Sequence, residues 1–187
     1  MRGARAAAER LEPPGSAPTI AAMRTNEIGV PLSRLFAELT DGAPTGGGAF
    51  ILNSGDLGLL RSLEALPAAD ASRSVDGGAT IAAHAQHLRY GLSLMNRWAA
   101  EGGNPFADAT WDAAWAITTV DDATWNGILG GLRAEVQRWV QALASPRDTT
   151  DAELMGMIGS IAHLAYHLGA IRQISRQTRG PKEGTFS

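Results

Sequence analysis

Eighteen consecutive residues, LMGMIGSIAHLAYHLGAI between Glu153 and Arg172, carry no formal charge. Thr150-x-x-Glu153 opens this stretch as a capping box, in which the two side chains each satisfy a backbone N–H of the first turn. The pattern predicts a helix running to about Gln177, ahead of Gly180-Pro181. An uncharged helix of this length either crosses a membrane or is buried among other helices. Two histidines, a serine, a tyrosine and three glycines make it a poor span, because polar groups are costly in hydrocarbon. The expectation is a helix buried almost all round, with no membrane partner. Its core stripe would be Leu154, Met157, Ile158, Ile161, Leu164, Ala165 and Leu168.

Three further stretches show helical periodicity. The first has Asn26 as a candidate N-cap, then Ile28, Leu32, Leu35, Phe36 and Leu39 on one face, and ends at Asp41-Gly42. Pro31 falls early enough to be tolerated. A glycine-rich connector, GAPTGGGAFILNSGD, follows; it lacks the spacing of a phosphate loop and reads as a flexible surface crossover. Asn53, Ser54 and Asp56 then cap a short helix bearing Leu57, Leu59, Leu60, Leu63 and Leu66. The second long helix runs from Ala79 to about Glu101, with Ile81, Ala85, Leu88, Leu92 and Met95 stepping by four and three. A third begins at Asp121-Asp122, acids at its positive end, and carries Trp125, Ile128, Leu132, Val136, Trp139 and Leu143 to the break at Pro146. No window alternates like a strand. The fold class is all-α.

Connection lengths suggest a topology. The third and fourth long helices are joined by about six residues and should be antiparallel neighbours. Residues 102–120 can span about 60 Å when extended, against about 35 Å for a 23-residue helix. They can carry the chain back along the molecule, leaving the second and third helices parallel. The expected architecture is a four-helix bundle, up-down-down-up, with a long crossover between helices two and three. It occupies residues 26–178, between a loose extension (1–25) and a tail (179–187). The extension is broken by Pro13, Pro14, Gly15 and Pro18 and has no apolar core for a secretory signal. Glu9 and Glu12 speak against a transit peptide, and Met23 is an alternative start.

Cysteine is absent, so disulfides, thiolate metal sites and a cysteine nucleophile are excluded. The cytoplasm is the default location. A net charge of −3 and a single lysine, Lys182, leave no polybasic surface for nucleic acid. Any metal chemistry must rest on histidine or carboxylate. The four histidines fall in two windows, TIAAHAQHLRY (His84, His87) and SIAHLAYHLGAIRQ (His163, His167). His163 and His167 are one helical turn apart, the spacing of a bis-histidine metal site, among small neighbours Gly156, Ser160 and Ala170. The second long helix would supply a third ligand, and both His84 and His87 are admissible by geometry. A pair of hydrogen-bonded core histidines fits the spacing equally. No glutamate follows His163, so the zincin HExxH and its base are missing, as are the Glu-x-x-His pairs of di-iron bundles. The five tryptophans read as packing anchors rather than as the wall of a ligand pocket.

Thr80-Ile81 followed by His87-Leu88 resembles the second helix of the DinB/YfiT-like proteins. His163-x-x-Tyr166-His167-Leu168-Gly169-x-Ile171 resembles their fourth. The resemblance covers about Asn26 to Gln177 and is specific in those two windows. It implies the up-down-down-up bundle and a divalent metal, zinc or nickel, held by His87, His163 and His167, with His84 a neighbour. Characterised relatives include thiol-dependent transferases and isomerases using mycothiol or bacillithiol. A small-molecule substrate, such as a low-molecular-weight thiol, is thus the implied partner. Some members carry a glutamate after the first histidine of the pair, where this chain has Leu164. The rival expectation is a non-catalytic ligand-binding or dimerising bundle with core histidines, and a homodimer is the expected assembly on symmetry grounds.

Overall fold

The computed structural model describes residues 23–24 and 28–182. The extension expected before residue 23, the Asn26 cap and the last five residues lie outside them. Seven α-helices occupy the described residues: α1 (Gly29–Asp41), α2 (Gly58–Glu64), α3 (Ala68–Ala71), α4 (Ile81–Glu101), α5 (Trp111–Trp115), α6 (Asp122–Ala144) and α7 (Asp151–Ile174). A 3-10 turn, Arg176–Thr178, follows α7, so the last long helix stops three residues short of the expected Gln177. The described chain is all-α, apart from one two-residue antiparallel pairing of Met23–Arg24 with Asp148–Thr149.

Local chemistry explains where the helices start. Thr80 accepts a hydrogen bond from the Ala83 N–H, Asp121 from that of Thr124, and Thr150 and Glu153 form the reciprocal capping box. Each satisfies a backbone donor that no helical carbonyl can reach. Helix α1 begins after Ile28 with no side-chain cap. Pro31 sits in its first turn, where a missing N–H costs no internal bond. At its other end the chain crosses itself: Gly42 and Gly58 have φ of +102° and +70°, and a Cβ on either would strike the other strand's backbone. Only glycine fits this crossing.

The glycine-rich connector is tethered rather than loose. The buried Glu38 carboxylate accepts N–H bonds from Phe50, Ile51 and Leu52, at 2.7 Å from the last two. Asp56 caps the start of α2 through the Gly58 N–H and also pairs with Arg172 of α7 at 2.7 and 2.8 Å. Asn53 contributes through its backbone carbonyl.

The core joins Phe36, Leu39, Leu59, Leu63, Ile81, Leu132, Trp139, Leu164 and Leu168, all essentially inaccessible. Four helix pairs pack along their length: α4 with α6, α1 with α6, α1 with α7, and, least closely, α4 with α7. Contacts fix directions. Arg89 lies against Gly131, Asn96 donates to the Glu135 carbonyl and Trp98 meets Trp139, so α4 and α6 run parallel. His84 faces His167, His87 faces His163 and Met95 reaches Gly156, so α7 runs antiparallel to α4. The expectation that the helices flanking the six-residue link would be direct neighbours fails. Helices α6 and α7 are not among the closely packed pairs, and Trp139 bridges them by donating its indole N–H to Ser160 Oγ. A short link limits distance only at the joined ends, and the bulk of Trp139 fills the space between the shafts.

Helix α7 corrects a second expectation. Met157, Ile161, Leu164, Leu168 and Ile171 are buried, but Met155 (67% exposed), Ile158 (49%) and Tyr166 (70%) face outward. The helix is long and apolar enough to cross a membrane by length and composition, yet only one side of it is covered. Apolar composition alone does not distinguish a buried side from a bare one.

Candidate metal centre

The Thr80 cap sets the phase of α4, and the Thr150–Glu153 box sets that of α7. Antiparallel packing then brings the two histidine windows together. His87 Nε2 lies 3.1 Å from His163 Nε2, and His84 Nδ1 lies 2.8 Å from His167 Nδ1. One ligand nitrogen from each of His87, His163 and His167 falls within 4.8 Å of the others. Nitrogens about 2.1 Å from one ion can lie at most about 4.2 Å apart, so small side-chain rotations close this set onto a cation. Two ligands come from α7 and one from α4. Those three residues can hold a metal, and His84 stands behind them, bonded to His167.

Burial governs the protonation of the cluster. Desolvation lowers the His167 pKa to about 3, helped by the nearby His163, His84 and His87. Desolvation and the neighbouring His163 and His84 lower that of His87 to about 4. Burial lowers His84 and His163 as well. Neutral imidazole is the form that binds metal. Two details fit a cation. The buried Nδ1 of His87 has no hydrogen-bond partner among the described residues, leaving a ring nitrogen whose bonding capacity the protein does not use. With His167 Nδ1–H donating to His84 Nδ1, the His167 Nε2 lone pair is left for a cation, and His84 then plays the role of an outer partner at a histidine metal site. No carboxylate belongs to the cluster.

The roof was missed by sequence reasoning. Trp115 stacks on His87, ring centres 4.3 Å apart and planes 23° from parallel, and meets His84 edge-on at 5.3 Å. Trp111 lies 5.4 Å from His87. Both were expected to be packing anchors; that holds for the buried Trp98, Trp125 and Trp139, but these two cover the imidazoles. Their one-turn spacing was the available signal, since it presents both rings on one side of α5. The 102–120 connection is held in place for this. The Arg97 guanidinium pairs with Asp108 and donates to the Pro105 carbonyl at 2.9 Å, and the Tyr90 hydroxyl accepts the Thr110 N–H at 2.8 Å. Beside His163, where small residues were expected to leave room, lies a cavity of about 320 Å³ between α4 and α7.

Comparison with family models, curated proteins and solved structures gives no match to this chain. The DinB/YfiT-like resemblance rests on its two sequence windows alone.

Proposed function

We propose that this protein is a metal-dependent enzyme of the DinB/YfiT-like kind, built as an up-down-down-up four-helix bundle. Its centre is a divalent cation, zinc or nickel, on His87, His163 and His167. The observation that carries the reading is the convergence of three imidazoles, from two helices, within 4.8 Å. The parallel course of α4 and α6 supports the bundle topology. Three nitrogen ligands leave a coordination position free, as catalytic sites do. When bound, such a cation acts as a Lewis acid that lowers the pKa of a coordinated water or thiol. The chain's own contribution is positional. His84 orients His167, Trp115 holds the His87 ring flat, and Trp111 and Trp115 keep bulk water from one side of the cluster.

With Leu164 following His163, no side chain in the cluster serves as general base. A small thiol would suit this site, since it is already acidic enough to lose its proton to solvent once the cation lowers its pKa.

Elemental analysis of protein purified without a histidine tag tests the reading. About one zinc or nickel per chain is expected in the wild type, and little in His163→Ala. Metal-free wild type after incubation with either ion, or equal metal in the variant, refutes it. In that event the four histidines are two hydrogen-bonded pairs, one buried and one with His163 exposed, a reading that the 2.8 and 3.1 Å contacts also satisfy.

A further inference from the structure

The cavity beside His163 is almost devoid of polarity, and its emptiness is built into the sequence. Three glycines from two helices face it: Gly91 of α4, and Gly156 and Gly159 of α7. None has the left-handed backbone that would demand glycine, and glycine weakens a helix interior. A Cβ at Gly156 would first meet the Met95 methyl at 3.7 Å, one at Gly91 would meet Trp111 at 3.9 Å, and one at Gly159 would meet nothing within 4 Å. Neither backbone conformation nor close packing requires glycine at these positions. What their missing side chains leave is volume.

Phe106 and Trp111, from the connection that carries the roof, also line it. No charged side chain lines the cavity among the described residues. The Ser160 hydroxyl is engaged, donating to the Met157 carbonyl and accepting from Trp139. Among the described lining residues, the polar groups left to meet a ligand are the His163 imidazole and the Trp111 indole N–H. A charged or sugar-like group would lose its hydration here with nothing to replace it. An apolar cavity of about 150 Å³ already accommodates benzene, so 320 Å³ admits an aromatic ring with a short chain.

We infer that this cavity binds the uncharged, apolar body of the ligand, an aryl or branched alkyl group, with the ligand's single polar end directed at His163. The inference rests on the metal reading only for what the polar end meets; the site for the apolar body stands without it. Hydrophilic thiols bearing carboxylates or sugars do not enter this space, and any such co-substrate approaches from elsewhere.

Three probes test this by calorimetry and by amide and methyl NMR shifts, on zinc-loaded and chelator-stripped full-length protein. They are toluene, benzyl mercaptan and reduced glutathione. Toluene is expected to shift Met95 and Leu164 resonances in both forms of the protein. Benzyl mercaptan should displace toluene from the cavity of the zinc form on the order of tenfold or more effectively than glutathione, because only the latter would have to bury charge there. Gly156→Leu fills the cavity, and should lose toluene binding while retaining wild-type zinc content; Gly159→Val serves the same purpose should the first variant misfold. Undiminished toluene binding in a folded cavity-filling variant, or displacement of toluene from the cavity by glutathione, overturns the inference. A protein that binds toluene in the cavity but takes up no zinc upholds this inference and refutes the metal reading.

Discussion

A histidine buried without an acid beside it stays neutral, and the consequence for stability can be read from its sign. In the unfolded chain each imidazole titrates near 6.5. In the folded one His87 and His167 hold off protonation to about 4 and about 3. Between those values the unfolded state binds protons that the folded state refuses. Stability is therefore complete above about pH 6.5 and declines as the pH falls towards 4, by at most about 1.4 kcal/mol per pH unit for each group. The urea midpoint of metal-stripped protein should drop from pH 7.5 to 5.5; a flat profile would contradict the burial of these rings. Glu38 is a second residue with a sharp expectation. Replacing it with alanine strands three N–H groups, and should cost about 2–4 kcal/mol in urea unfolding while loosening residues 46–52. At this scale the sequence was informative about ligands, because 3.6-residue periodicity fixes which histidines share a face. The choice between His84 and His87 was not legible. Both are buried, and only the register of α4 against α7 pairs one with His163 and the other with His167.

At the scale of elements, helix starts were partly legible: the Thr150 box and the Asp121 start were read from the sequence, whereas Thr80, whose side chain accepts the N–H three residues on, lay inside the helix expected from Ala79. Helix α5 was not legible as a functional element. Five residues are too few to bury a stripe of their own, and their position depends on contacts at Tyr90 and Arg97, twenty and eleven residues away from their partners. Arg97→Ala should release this connection. Exposed ion pairs add little to global stability, so the expected outcome is amide exchange over residues 105–115 faster by about threefold, with an unchanged unfolding midpoint. Slower or unaltered exchange there would show that the tryptophans hold α5 by themselves. The outward face of α7 was hidden for a different reason. Met155, Ile158 and Tyr166 are as apolar as their buried neighbours, and hydropathy does not say which neighbours exist.

At the scale of the molecule, the ends of distant segments are tied by a few buried polar groups. Asp56, nearly inaccessible, joins the start of α2 to the last turn of α7 through Arg172, and the backbone at Gly180 runs so close to its carboxylate that a side chain there would displace it. Asp56→Ala leaves a partly buried guanidinium without its partner and should destabilise the protein by about 3 kcal/mol in denaturant titration. The double change Asp56→Leu, Arg172→Met should cost less than the single one.

The seam between α4 and α7 is the least closely packed of the four long contacts, and it joins residues 76 and 83 positions apart in the chain. A cation gripping imidazoles from both sides would act there as a reversible staple, closing a loop that the unfolded chain leaves open. Were it to bind only the closed form, its effect would grow with its concentration, reaching about 4 kcal/mol at a thousandfold excess over its dissociation constant. The melting temperature of this protein would then report the metal supply of its surroundings.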